Sequence, residues 1–220
     1  DIALNYLSDH ESAEEVAGII RQQGREVELI QAHIGRAESR QQLWSQFGER
    51  FGRLDFLILN AATGVFRETT KLTLNSLRKV FAVNMEALLD LSHQAVKWMP
   101  EQSSSTSPGG RGRIVALSSI GAERVIANYG SVGASKAAME ALVRQLAYEL
   151  GPTGINCNVI RAGLVDTGIL NYIEGREQIV ADTVARTPNG RLVEPQEVAD
   201  LIAFMVSKAF INISKSINAD

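Results

Sequence analysis

Three short segments of the 220-residue chain place reactive side chains at spacings that suit chemistry. In Tyr129-Gly130-Ser131-Val132-Gly133-Ala134-Ser135-Lys136 a phenol and an ammonium stand seven residues apart at the start of an expected helix. Residues i and i+7 lie nearly on one helical face, so both groups can flank one ligand. A lysine so placed can depress the phenol pKa, hold the phenol as a proton donor and bond a ribose hydroxyl with the same ammonium. The pair Ser118-Ser119 ends an expected strand just upstream, a place where serine is ordinarily a turn or cap residue. Asn60-Ala61-Ala62-Thr63-Gly64 directly follows an apolar run and keeps the chain free of bulk where a backbone must approach a flat ligand. A tight turn accounts for small residues there about as well.

The elements that must position these groups follow from periodicity. Short continuous apolar runs alternate with helical patterns along the whole length, the signature of βαβ units. Strands are expected at 2–6, 27–30, 54–59, 113–118 and 155–160. Helices are expected from a capping box at Ser12-Ala13-Glu14-Glu15 to Gly24, from Ser39 to Phe47 with a stop at Gly48, from Leu74 to Met99, from Tyr129 to Leu150 and from Glu194-Pro195 to Val206. Residues 101–112 are a low-complexity surface loop, and 216–220 fall in or just past a closing strand. This succession predicts an α/β fold, a Rossmann-like doubly wound parallel sheet in a single domain over 1–220, with ligands gathered at the carboxyl ends of the strands. The first strand runs straight into a helix with no G-x-G-x-x-G turn, and no such run occurs elsewhere, so a leading strand, glycine turn and helix are expected to be absent from the chain. Residues 168–192 break the strand-helix rhythm and are read as a substrate lid. Its apolar Ile169, Leu170, Tyr172 and Ile173 are candidates to line an acyl tunnel or simply to pack.

Taken in order, strand-Asn60-Ala61-Ala62-x-Gly64, helix Asn84, Ser119, Tyr129 with Lys136, and Asn158-x-x-x-Ala162-Gly163-Leu164-Val165-Asp166-Thr167 resemble the short-chain dehydrogenase/reductase family over nearly the whole chain. Most members carry Tyr-x-x-x-Lys, whereas Val132 stands four residues before Lys136 here and the spacing is Tyr-x6-Lys. That spacing, with Asn60-Ala-Ala-Thr-Gly-Val and Thr187-Pro-x-Gly-Arg191, is similar to the NADPH-using type III enoyl-acyl-carrier-protein reductases. Reduction of a ketone delivers hydride and proton to adjacent atoms. Conjugate reduction sends hydride to C3 of a trans-2-enoyl thioester while charge gathers on the C1 oxygen, so the acid must stand farther away. Three residues of helix displace the phenol by about 4.5 Å.

The resemblance implies catalytic roles for Tyr129, Lys136, Ser119 and Asn84, with Lys136 orienting ribose and lowering the phenol pKa. It implies that Asn60 and Ala61 run beside the adenosine ribose, that His33 and Ile34 lie near adenine, and that Gly163, Val165 and Thr167 meet the carboxamide and pyrophosphate. Ala162 replaces the family's usual proline. NADPH is the expected cofactor, with NADH possible: Asn5, Tyr6 and Leu7 supply no acid at the end of the first strand, Asp9 comes slightly late, and Ser8 stands where type III enzymes carry a basic residue. Acyl carrier protein or a CoA thioester is the implied partner, with Arg124, Arg161, Arg186 and Arg191 as candidate docking cations. A homodimer or homotetramer through the helices at 74–99 and 129–150 is implied as well. A carbonyl (3-oxoacyl) reductase of the same family and a degenerate binding protein are the competing readings.

Composition bounds the rest. With 45% hydrophobic and 21% charged residues the chain can bury a core. Lys and Arg total 22 against 25 acidic residues, a formal charge of −3, which leaves no basic field for nucleic acid. The single cysteine, Cys157, sits in an apolar run, suits buried strand packing and excludes an internal disulfide. His10, His33 and His93 form no metal-binding spacing. No run approaches the length of a bilayer crossing, and a cytoplasmic location is expected.

Overall fold

The computed structural model describes residues 1–100, 112–168, 175–207, 210 and, as backbone, 216–219. Six strands and seven α-helices alternate among them: β1 (Ile2–Tyr6), α1 (His10–Gln22), β2 (Val27–Gln31), α2 (Ala37–Arg50), β3 (Phe56–Leu59), α3 (Leu74–Phe81), α4 (Ala87–Trp98), β4 (Gly112–Ser119), α5 (Gly130–Leu150), β5 (Ile155–Ala162), α6 (Arg176–Arg186), α7 (Pro195–Val206) and β6 (Ser216–Ala219). All strand pairs are parallel, as the continuous apolar runs require. The pairing order is β1-β2 in one part and β3-β4-β5-β6 in the other. Among the described residues β1 pairs with β2 alone and β3 with β4 alone. The expected Rossmann-like α/β fold with parallel strands is present.

One apolar layer joins the two parts. Ile30 of β2, Trp44 and Phe47 of α2, Leu88 and Leu91 of α4, Ile114 and Ala116 of β4 and Met139 and Val143 of α5 form a single buried cluster. A second cluster packs Val115, Leu117 and Ile160 under Met205 of α7. Alternation along β4 thus sends Ile114 and Ala116 to one face and Val115 and Leu117 to the other. In β3, Leu57 and Leu59 join the first cluster, while Phe56 and Ile58 remain exposed. Cys157 is 1% exposed within the first cluster, and burial pushes its thiol up to about 12, so it packs as a neutral apolar group.

Several boundaries differ from the sequence expectation for physical reasons. α1 is capped by Asp9, whose carboxylate accepts from the Ser12 amide at 3.0 Å and the Ser12 hydroxyl at 2.7 Å, so Ser12 lies inside the helix. Gly48 does not end α2, which continues to Arg50; a Cβ there would come 2.8 Å from the Trp98 ring of α4, so the glycine serves helix-helix contact. The helix expected over 74–99 is α3 and α4 joined by one π-type turn at Ala82–Glu86. Arg40 of α2, 8% exposed, pairs with Asp90 of α4 and donates to the Ile34 carbonyl at 2.7 Å, locking α2, α4 and the end of β2 together. The 168–192 excursion contains α6, while Ile169, Leu170, Tyr172 and Ile173, like most of the low-complexity loop, lie outside the described residues.

The register of β3 and β4 makes a measurable contrast. Ile114→Ala removes a side chain with no exposure and is expected to lower unfolding stability by about 2–5 kcal/mol, whereas Ile58→Ala, at 37% exposure, costs less than about 1 kcal/mol in urea titrations followed by circular dichroism.

Candidate active site

The chemically capable side chains converge because the strands are parallel and end on one edge. Ser119 is the last residue of β4, Asn60 follows β3, Gly163 follows β5, and Tyr129 occupies the cap position just ahead of α5. The chain reaches Tyr129 through Asn128 in the left-handed region at φ 58°, whose carbonyl accepts from the Arg67 amide at 2.9 Å. The Tyr129 hydroxyl donates to Ser119 Oγ at 3.1 Å. Two glycines allow this approach. A Cβ on Gly121 would come 2.5 Å from the Tyr129 ring, and one on Gly133 would come 2.5 Å from the Gly121 carbonyl. The turn after Ser119 and the first turn of α5 therefore meet backbone to backbone, and Phe66 lies against the tyrosine with ring centroids 5.9 Å apart. Sequence reasoning missed both glycines, though small residues flanking a candidate catalytic pair were the available signal.

Val132, at the position where most family members carry tyrosine, is 5% exposed and packs on Gly64 of the loop after β3, where a Cβ would come 2.8 Å from it. Tyr129 is the residue in hydrogen-bond contact with Ser119. Burial raises its phenol pKa, opposed by the Ser119 hydroxyl. The expectation that Lys136 lowers that pKa is thus corrected: the ammonium is turned to the strand, where it donates to the Leu117 carbonyl at 2.6 Å. Lys136 is 6% exposed, and burial lowers its pKa to about 8 while the carboxylate of Glu140 works in the opposite direction.

Asn84, 3% exposed, lies in the π-type turn. Its Oδ1 accepts from the Thr63 amide at 2.9 Å, and its Nδ2 donates to the Thr63 carbonyl and to Ser135 Oγ, both at 2.9 Å. One side chain therefore fixes the small-residue loop after β3 to the residue beside Lys136. The extra backbone residue of a π-type turn re-aims side chains in this way. Thr63 and Ser135 were not singled out by the sequence.

Toward the other part of the sheet, Asn60 and Ala61 are exposed at the loop mouth. His33 Nδ1 accepts from the Gly35 amide at 3.1 Å, and the His33 amide donates to Ser39 Oγ at 2.8 Å, so the ring is engaged as a strand-end brace. Ile34 is fixed through its carbonyl by Arg40. Ser8 is exposed, with its carbonyl accepting from the His10 amide at 3.1 Å. Asp9 is occupied by Ser12, which holds its carboxyl below the usual range. Gly163, Val165 and Thr167 follow β5, with Val165 held in a parallel bridge to Val193. Of the candidate docking cations, Arg161 is buried and paired with Glu140 and Glu123, and Arg191 is paired with Glu194 and Glu197, so neither presents a free charge. Among the described residues no group of three His, Cys, Asp or Glu side chains could hold a metal ion, and no helix is long and apolar enough to cross a membrane.

Comparison with known proteins places this geometry. A family model described as enoyl-(acyl carrier protein) reductase matches residues 1–217. The 1-cyclohexenylcarbonyl-CoA reductase of Streptomyces collinus is 32% identical over 207 residues, covering 93% of this chain and 71% of that protein. Among solved structures, a short-chain dehydrogenase from Burkholderia cenocepacia J2315 in complex with NADP superposes with a TM-score of 0.86 at 29% identity, covering 100% of this chain and 86% of that one. The angucycline C-6 ketoreductase LanV with bound NADP has the same TM-score at 25% identity, covering 98% of this chain and 82% of that one. By these matches the chain belongs to the short-chain dehydrogenase/reductase family of NAD(P)-dependent oxidoreductases.

Proposed function

We propose that the chain reduces trans-2-enoyl thioesters, carried on acyl carrier protein or CoA, with NADPH. The observation that carries this reading is the position of the phenol: Tyr129 meets Ser119 from the cap of α5, and Val132 is buried on Gly64. A relative whose name denotes reduction of an alkene conjugated to a CoA thioester carbonyl supports it.

The residues fit a dinucleotide at the sheet end. Ala61 and Ala62 are exposed there with nothing larger than a methyl group, which leaves room for a ribose and ring to lie along the backbone. Leu117 takes one of the three ammonium protons of Lys136, which leaves two to donate to the paired hydroxyls of a ribose. Asn60, Ala61, Ile34, Gly163, Val165 and Thr167 are the residues assigned to hold the rest. For NADPH over NADH, no carboxylate ends β1 to grip a ribose 2′-hydroxyl, and Asp9 is spent on capping α1. Two similar structures are solved with NADP.

A bound nicotinamide supplies the hydride that adds to C3 of the enoyl group. Tyr129, kept protonated by its burial, donates to the oxygen on which negative charge gathers; C2 then takes a proton from water as the thioester carbonyl re-forms and the enol proton returns to the phenol. Without substrate, Ser119 Oγ accepts that single phenolic proton and holds the ring in place; a substrate oxygen takes over from Ser119 as its acceptor. Asn84 holds the Thr63 loop against Ser135, so the lysine and the loop keep a fixed separation. A partner copy docking along α4 and α5, giving a dimer or tetramer, and Arg124 and Arg186 as the exposed cations for an acidic carrier, complete the proposal.

A second reading, a carbonyl reductase, draws on the ketoreductase among the similar structures. Side-by-side NADPH oxidation with a crotonyl and a 3-oxoacyl thioester separates the two, and faster turnover of the 3-oxo substrate selects the carbonyl reductase. Tyr129→Phe is expected to lower kcat for the enoyl substrate by about 10²–10⁴-fold, and retention of most of the rate overturns the assignment. The wild-type ratio of kcat/KM for NADPH to that for NADH should exceed about tenfold, as expected when one charged group is discriminated. The working form of Lys136 is the ammonium, so kcat/KM should fall as pH rises through about 8.

A further inference from the structure

Behind Lys136 lies a buried ionic cluster that the reaction described above does not use. Glu140, one helical turn beyond the lysine on α5, is 3% exposed. Ser118 Oγ donates to its Oε1 at 2.5 Å, and Arg161 of β5 donates to both oxygens, from Nε at 3.1 Å and from NH2 at 2.6 Å. The same Arg161 NH2 reaches Glu123 Oε1 at 2.8 Å, on the turn that follows Ser119. The chain of contacts runs from that surface turn through β5 to the helix carrying the lysine, and back to the end of β4, one residue from Ser119.

Two charges this deeply buried are costly and are retained only with full hydrogen bonding. Hydrogen bonds from Arg161 and Ser118 keep Glu140 below the usual carboxylate range, and Glu140 in turn raises Arg161. Glu140 is therefore an anion fixed one turn from an ammonium whose charge burial disfavours. The ammonium itself donates to the neutral Leu117 carbonyl, and Glu140 is the charged group that acts on it. The cations Arg161 and Arg144 act on Glu140.

We propose that Glu140, clamped by Ser118 and Arg161 one helical turn from Lys136, is a positioning residue that sustains the charge on the buried lysine, and that Glu123 anchors the clamp to the turn after Ser119. The proposal rests on the reading of Lys136 as the cation that holds the cofactor, and it deepens that reading by naming what sustains the charge.

The test follows the Lys136 side chain directly, by NMR titration of its Cε and Nζ signals in the full chain, assigned by their loss in Lys136→Met. The wild-type midpoint is expected at about 8. In Glu140→Gln, where Arg161 retains Glu123 as a partner, the midpoint should drop by about one pH unit or more, and Glu140→Asp, which keeps the charge, should hold it near the wild-type value. Should the single exchange fail to fold, Glu140→Gln with Arg161→Met removes both charges of the pair and should still lower the midpoint, by less than the single exchange because the repulsion of Arg161 goes with it. A midpoint unmoved in the folded neutral variant overturns the proposal. NADPH affinity measured by fluorescence across the same pH range separates the two levels. A midpoint that shifts without a matching change in affinity leaves the Glu140 assignment standing and removes the cofactor-holding role of Lys136.

Discussion

One buried ammonium organises the site. Lys136 is 6% exposed, and burial lowers its pKa to about 8 because it penalises the charged form. Its surroundings answer that penalty with a carbonyl at the end of β4 and a carboxylate one turn away. Both must be held in place by groups from other elements. Around it, Ser118, Arg161 and Glu123 hold Glu140, and Asn84 links Ser135 to the loop after β3. The ends of β4 and β5, the loop after β3 and α5 are thus joined near the cation by hydrogen bonds, while the ammonium itself donates to Leu117.

The phenol is positioned by the opposite means. Close backbone approach at Gly121 and Gly133 brings the tyrosine ring over the turn that follows Ser119, and Val132 fills the space beside Gly64. Electrostatics and steric fit therefore address the two reactive groups separately, although they share one helix. Burial also affects the two in opposite senses: it raises the phenol pKa and lowers that of the ammonium. Under neutral conditions that leaves a protonated phenol beside a still-charged lysine, the combination a proton donor and a ribose-binding cation require.

The parallel strands give the site its setting. The loops after β3, β4 and β5 leave the carboxyl ends of parallel strands, the place where open α/β sheets collect ligands. The helical layer of α2, α4 and α5 bridges the two parts through one apolar cluster, while the opposite face leaves Phe56 and Ile58 exposed. The Arg40–Asp90 pair reinforces that bridge and fixes the backbone at Ile34.

Local pattern alone determined the order and kind of the elements, the Tyr129–Lys136 spacing, the interior place of Cys157 and the absence of a glycine turn ahead of α1, because each depends on neighbours within a few residues. The family resemblance rested on the same short motifs. Contacts between residues far apart in the chain had no local signature. That Gly48 serves Trp98 rather than ending a helix and that Arg161 is spent on Glu140 became visible only when distant segments met, whereas the Asp9 cap on Ser12 and the His33 brace on Gly35 are local and were decided by backbone geometry. Tertiary structure also turned Lys136 from the phenol to the Leu117 carbonyl. The direction a charge faces is set by what else is buried beside it, and side-chain spacing along a helix carries no record of that.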